Sequence, residues 1–383
     1  MPWKSTANNI SGAQNLPKRK EVYLLQKLLS LIEELTAVPT VSGYEKNGMS
    51  RLAGAAVKYT GIQHPHIRTL PSGSVIFGIQ SQNPDAKTLV FDAHADTIGF
   101  TVTEHCGNGF VKVSAIGGID SGILPASEAE LYGKRTLRAF FTSVPPHLAS
   151  SDKKTPLSEL MLDTGLSDGE LSELCPMGTP VCFHAPVTLL LNNRIASKSL
   201  DDKLCIAAIC HALKLINESV TDGINIYAHL SVGEEKTMRG ASTLAENFHA
   251  DGCVVLDVNF AKEQSSYPGE YIPIDGGAGL SLSASTNRAF TDAIYQSAQK
   301  HGIKCSRIVE MQSTGTNANI IGRMSTGIQT AVLSIPLKYM HTSVECASLD
   351  DVISCAELLR CFAADCAEKF PRLSETVHKG GAL

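Results

Sequence analysis

Thr88-Leu89-Val90-Phe91-Asp92-Ala93 is an apolar, β-rich run that leads straight into His94-Ala95-Asp96. Such a run reads as a buried strand. Residues i and i+2 of an extended chain share a face, so His94 and Asp96 point the same way. The pattern recurs along the chain: Ile224–Val232 ends in Gly233-Glu234-Glu235, Cys253–Leu256 ends in Asp257, and Gln329–Ser334 continues through Ile335-Pro336 to His341. Residues 201–218, 238–249, 287–301 and 349–370 read as helices. Strands alternating with helices predict an α/β fold, a mostly parallel or mixed sheet flanked by helices. Open sheets of this kind carry their ligands at the carboxyl ends of strands, and the acids and histidines fall there.

Toward the N-terminus, Val22, Leu25, Leu28, Leu29, Ile32 and Leu35 recur at helical spacing until Pro39 stops the pattern. A second helical stretch runs to Tyr59, and short β runs follow at His66–Leu70 and Ser74–Ile79. The texture changes from about Val102 to Leu190. There, short β segments alternate with Gly- and Pro-rich turns, broken by one helix start with a capping box at Ser167 and Glu170. The reading is a β-rich domain over 102–190, inserted into a larger domain made of 1–101 and 191–383.

The 383 residues are 43% apolar and 19% charged, ordinary globular usage, and at about 150 residues per domain the length suits two or three domains. A net charge of −5 argues against nucleic acid as a partner. No apolar run reaches the ~18 residues of a membrane span, and Met1–Asn15 lacks the apolar core of a signal peptide. The eleven cysteines form no C-x-x-C pair, which fits reduced thiols in a cytoplasmic protein.

Each strand-end group has a bland reading beside a chemical one. His94 with Asp96 is either a hydrogen-bonded strand end or a metal-binding imidazole steadied by a neighbour. Asp201 and Asp202 either cap a helix or offer a carboxylate shared between cations. Glu234 and Glu235 form a solvated turn, or divide the work of holding a cation and moving a proton. Asp257 needs a partner if buried, and His341 with Glu345 four residues on is otherwise a loop decoration. Together these residues supply two imidazoles and three carboxylates, with a Glu to spare. Divalent ions accept that donor set, Zn²⁺ being the first choice and Co²⁺ the second.

In this order the motifs resemble those of the tetrahedral (TET-type) metalloaminopeptidases, which include the glutamyl and deblocking aminopeptidases, within the co-catalytic di-zinc exopeptidases. The likeness runs from Pro39-Thr-Val-Ser-Gly-Tyr44 through His94-Ala-Asp96 to Pro336-Leu-Lys-Tyr-Met-His341-Thr-Ser-Val-Glu345. It implies removal of N-terminal residues from short peptides by a catalytic domain over 1–101 and 191–383, and a dimerising role for the insert. It also implies dimers assembled into a dodecamer. Two divalent metal ions per subunit follow: His94 and Asp257 on one, Glu235 and His341 on the other, Asp201 between them. Glu234 would be the general base, Asp96 would orient His94, and the Asp201–Asp202 peptide would be cis. Three positions depart from the family pattern: Thr97 stands for Glu, Lys203 for Arg, and Asn317 for the Asp of Thr-Asp-Ala. Two alternatives share the scaffold. One is a carboxypeptidase or deacylase, for which Arg194, Arg239 or Arg323 would clamp a carboxylate. The other is a degenerate, non-catalytic assembly protein.

Overall fold

A computed structural model describes residues 19–148, 154–219, 222–262, 271–310, 313–324 and 327–371. The stretch read for a leader, Met1–Asn15, lies outside them. An eight-stranded sheet runs in the order His66–Thr69, Val75–Ile79, Ile224–Ser231, Lys87–His94, Gly252–Phe260, Gln329–Leu337, Ala278–Leu282 and Cys305–Val309. Its four central strands are mutually parallel, and the strands flanking that block pair antiparallel to it. Central parallel strands are covered on both faces, which is why they are the near-continuous apolar runs of the sequence.

One face carries the helices Arg19–Thr36, Lys46–Thr60, Leu200–Ser219, Arg288–His301 and Leu349–Glu368; Arg239–Asn247 and Ala318–Ile321 cover the other. The helix Leu200–Ser219 is buried on nearly all sides from Leu200 to Leu213. A helix so placed is held by packing, not by an amphipathic stripe. Its first turn departs from the expected helix. Asp201 (φ −74°, ψ 110°) and Asp202 (φ −114°, ψ 32°) are not helical and the peptide between them is cis, so helical geometry begins at Lys203.

Residues 99–183 hold a closed barrel in the order Gly99–Gly107, Phe110–Ile116, Leu162–Asp163, Thr136–Phe141, Glu128–Tyr132 and Pro180–Phe183. Leu137, Ala139 and Phe141 point inward while Thr136, Arg138 and Phe140 point out, the period of two that a barrel wall requires. Phe100 anchors the interior, its ring 5.1 Å from that of Phe141 and 5.5 Å from that of Phe183. The expected boundaries at 102 and 190 are displaced by a few residues. The barrel starts at Gly99, and Thr188–Leu189 pairs instead with Arg194–Ser197, which pairs with Glu345–Ser348. No helix among the described residues is long and apolar enough to cross a membrane. Their eleven cysteines are all unpaired.

Candidate metal centre

The parallel registers bring the strand ends together. Ser231 lies level with His94, and Val255 with Asp92, so two further residues bring Asp257 level with His94. Asp257 does not follow its strand, as the sequence suggested, but sits within it, because the strand continues through Val258 and Asn259 to Phe260. Gly233 (φ +74°) turns the chain after Ser231 and presents Glu234 and Glu235. His341 arrives from a loop in which Tyr339 (φ 60°) and His341 itself (φ 61°) both adopt the left-handed conformation. Bulky residues enter that region only where surrounding structure insists.

Two imidazoles converge on one carboxylate. His94 Nε2 lies 3.0 Å from Asp201 Oδ1, and His341 Nε2 lies 3.2 Å from Asp201 Oδ2. His341 Nε2 is also 3.5 Å from Glu235 Oε1, and His94 Nε2 is 3.9 Å from Asp257 Oδ1. Candidate ligand atoms of His94, Asp201 and Glu235 all lie within 4.8 Å of one another, as do those of His94, Asp202 and Asp257. All five expected ligands, with Glu234, line one cavity of about 750 Å³.

The electrostatics call for positive charge. Burial opposes a proton on His94, yet the hydrogen bond to Asp201 and the surrounding acids hold its pKa well above the ordinary value. His341 is pushed up to about 11, by its hydrogen bonds to Asp201 and then Glu235. Asp257 rises because of burial and then the nearby Asp202. Glu234 rises to about 7 through burial, with Glu235, Asp201 and Asp96 adding to it against the pull of His94. Acids crowded out of water beside two imidazoles are a poor resting arrangement by themselves and a good one around dications. The nitrogen and oxygen donors fit such ions.

Supporting residues hold this set in place. Asp96 contacts both His94 and the Glu234–Glu235 pair. Its backbone carbonyl accepts from His94 Nδ1 at 2.9 Å, while its carboxylate accepts the amides of Glu234 (3.0 Å) and Glu235 (3.2 Å). Glu345 accepts the amides of Asp201 (3.1 Å) and His341 (3.0 Å). Its placement follows from the pairing of Ser197 with Glu345 three residues before Leu200, which no local pattern reveals. Lys203 is fully buried and donates to the Ala95 carbonyl and to Thr40 Oγ1. Gly117 (φ +89°) and Gly118 carry the barrel backbone past the centre. A Cβ at Gly117 would lie 3.2 Å from Glu235 Oε2, and one at Gly118 would lie 3.2 Å from His341 Nδ1.

The other two departures are buried as well. Thr97 is buried, with Oγ1 4.0 Å from Cys182 Sγ on the barrel. Asn317 donates to Asp92 (2.9 Å) and Ser231 (2.8 Å), and Asp92 also meets His229 Nδ1 at 2.6 Å. Of the three arginines, Arg194 pairs with Asp275 and Arg239 with Glu45, and none of the three lines the cavity.

This sheet, with barrel and acid–imidazole centre, is the arrangement of a metal-dependent peptidase. The chain belongs to the M42 glutamyl aminopeptidase family, whose model matches residues 73–358. It is 30% identical over 341 residues to the lysyl aminopeptidase of Pyrococcus furiosus, covering 86% of this chain and 95% of that one. Its fold is similar to a TET aminopeptidase from a marine sediment Thaumarchaeota archaeon (TM-score 0.82, 22% identity, 90% of this chain and 99% of that one). It is also similar to the TET1 peptidase of Pyrococcus horikoshii (TM-score 0.76, 23% identity, 88% and 99%), described as assembling into a tetrahedron or a large octahedral shell.

Proposed function

We propose that this chain is an aminopeptidase dependent on two divalent cations, with Glu234 as its general base. The observation that carries the reading is that His94 and His341 each aim Nε2 at a different oxygen of the same Asp201 carboxylate. His94 and Asp257 would hold one cation, Glu235 and His341 the other, and Asp201 both. When bound, such a pair polarises the scissile carbonyl and makes a water molecule acidic enough to attack it at neutral pH. The Glu234 carboxylate then takes the proton of the attacking water and passes it to the departing amine. Asp96 fixes the turn that aims Glu234, because its carboxylate binds both amides of the Glu pair.

The cavity favours the amine end of a peptide over the carboxylate end. Among the described residues its walls hold five acids (Asp201, Glu234, Glu235, Asp257 and Glu310), no arginine, and a single lysine, Lys236. An N-terminal ammonium is attracted there, whereas a C-terminal carboxylate finds no bidentate clamp. Peptides with a free amino terminus are therefore the substrate class. Self-association through the barrel into dimers, and of dimers into a dodecamer, fits the exposed Phe140, Val144 and Leu148 on barrel-domain segments. Unpaired thiols fit a cytoplasmic location.

The test is amino-acid release from a peptide panel by protein reconstituted with Zn²⁺ or Co²⁺, with N-acetylated and C-amidated versions alongside. Cleavage stopped by the acetyl group and indifferent to the amide supports the assignment. Cleavage that needs the free carboxylate would replace it with a carboxypeptidase.

A further inference from the structure

We propose that Glu310 selects substrates whose N-terminal residue is lysine or arginine, an inference that rests on the aminopeptidase reading above. Once the centre is set aside, the described residues of the cavity wall include two ionisable groups, Lys236 and Glu310. Lys236 is exposed and freely hydrated. Glu310 follows the edge strand Cys305–Val309 and is half-buried. Ser281 Oγ donates to its Oε1 at 2.5 Å, and Asn259 Nδ2 donates to the same oxygen at 3.3 Å. Both donors go to Oε1, and among the described residues nothing donates to Oε2 and no cationic side chain pairs with Glu310. A fixed, partly desolvated carboxylate with one oxygen unclaimed is a receptor for a cation.

The spacing fits a basic side chain. Asp257 and Asn259 project from the same face of one strand, so their origins are separated by about 7 Å. The Asn259 hydrogen bond then reaches Glu310. An extended lysine places its ammonium about 6 Å from Cα, counted over five bonds. A peptide whose first residue lies between Asp257 and Asn259 would direct a basic side chain along this wall toward Glu310. Phe260 and Val309, both lining the cavity and more than half exposed, offer apolar surface to the methylene stem.

The test is kcat/KM of the metal-loaded protein on Lys-, Arg-, Leu- and Glu-headed peptides, for the wild type and Glu310→Gln. The wild type is expected to favour Lys and Arg, and the variant to lower the Lys-to-Leu ratio about 10- to 100-fold, the usual worth of a charged hydrogen bond. In the wild type alone, lysine amide should inhibit competitively at least tenfold better than norleucine amide, which is close in shape and lacks the charge. That comparison stands even if the variant fails to fold. An unchanged ratio in a folded variant, or equal inhibition by the two amides, overturns the assignment while leaving the aminopeptidase standing. Absence of cleavage of every peptide overturns both.

Discussion

Glu345 accepts the backbone amide of Asp201 at 3.1 Å, from a position almost wholly buried beneath the candidate centre. Its other oxygen accepts the amide of His341. One carboxylate thus sets the spacing between Asp201 and a histidine from a different loop, without facing the cavity. Glu345→Gln keeps the size but offers a single acceptor and an amide hydrogen where His341 donates. We expect a 10- to 100-fold loss of metal affinity, the scale on which outer-shell groups act. Metal content after dialysis against graded chelator checks it, and unchanged retention would show that Glu345 is dispensable.

Glu234→Gln should separate chemistry from binding. Glu234 is not a ligand in this arrangement, so the variant should keep its metal while kcat falls by about 10²- to 10⁴-fold, the contribution expected of a positioned base. Metal analysis and peptide turnover on the same sample measure both. Full turnover would remove Glu234 from the mechanism.

Asn317 stands where the family pattern has an acid, and Asp92 explains how the neutral residue fits. Asp92 is fully buried and already accepts from both Asn317 and His229. Asn317→Asp would put two carboxylates about a hydrogen bond apart with no water to screen them, at a cost near 3 kcal/mol, the scale of an uncompensated buried charge. Combined with Asp92→Asn, the same change should recover most of that loss. Urea unfolding of the two single variants and the double variant reads the coupling directly; simple additivity would contradict it.

A pH effect is expected away from the centre. His211 is buried, Tyr59 hydrogen-bonds its Nδ1 at 2.9 Å, and burial lowers the pKa of the imidazole. As pH falls below the unfolded value of about 6.5, the unfolded chain takes up a proton first, so stability falls. His211→Gln removes that proton uptake. The wild type should lose more stability than the variant between pH 7.5 and pH 5.5 in urea titrations, and equal losses would exclude His211 as the cause.

Much of this was legible in the sequence, for identifiable reasons. Central parallel strands must be apolar throughout, so a charged residue at their end stands out, as at His94 and Glu234. Asp257 and Asn259 interrupt the apolar run, which hid the rest of one strand through Phe260 and with it the true place of Asp257. Two outer strands escaped the reading altogether. Ala278–Leu282 contains Gly279, where a Cβ would lie 2.3 Å from Ile272 Cδ1, and Cys305–Val309 buries only Ile308. Packing against neighbours defines both, and Glu310 follows the second. The roles of Glu345, Lys203 and Gly118 depend on contacts between segments far apart in the chain. No local spacing encodes those contacts.

The most direct test is a crystal structure of protein loaded with Zn²⁺, with the ions located by anomalous scattering. Two ions about 3.5–4 Å apart, each on one oxygen of Asp201 and on its own histidine, are the predicted result. A single ion, or a pair lying away from Asp201, would contradict the two-cation centre.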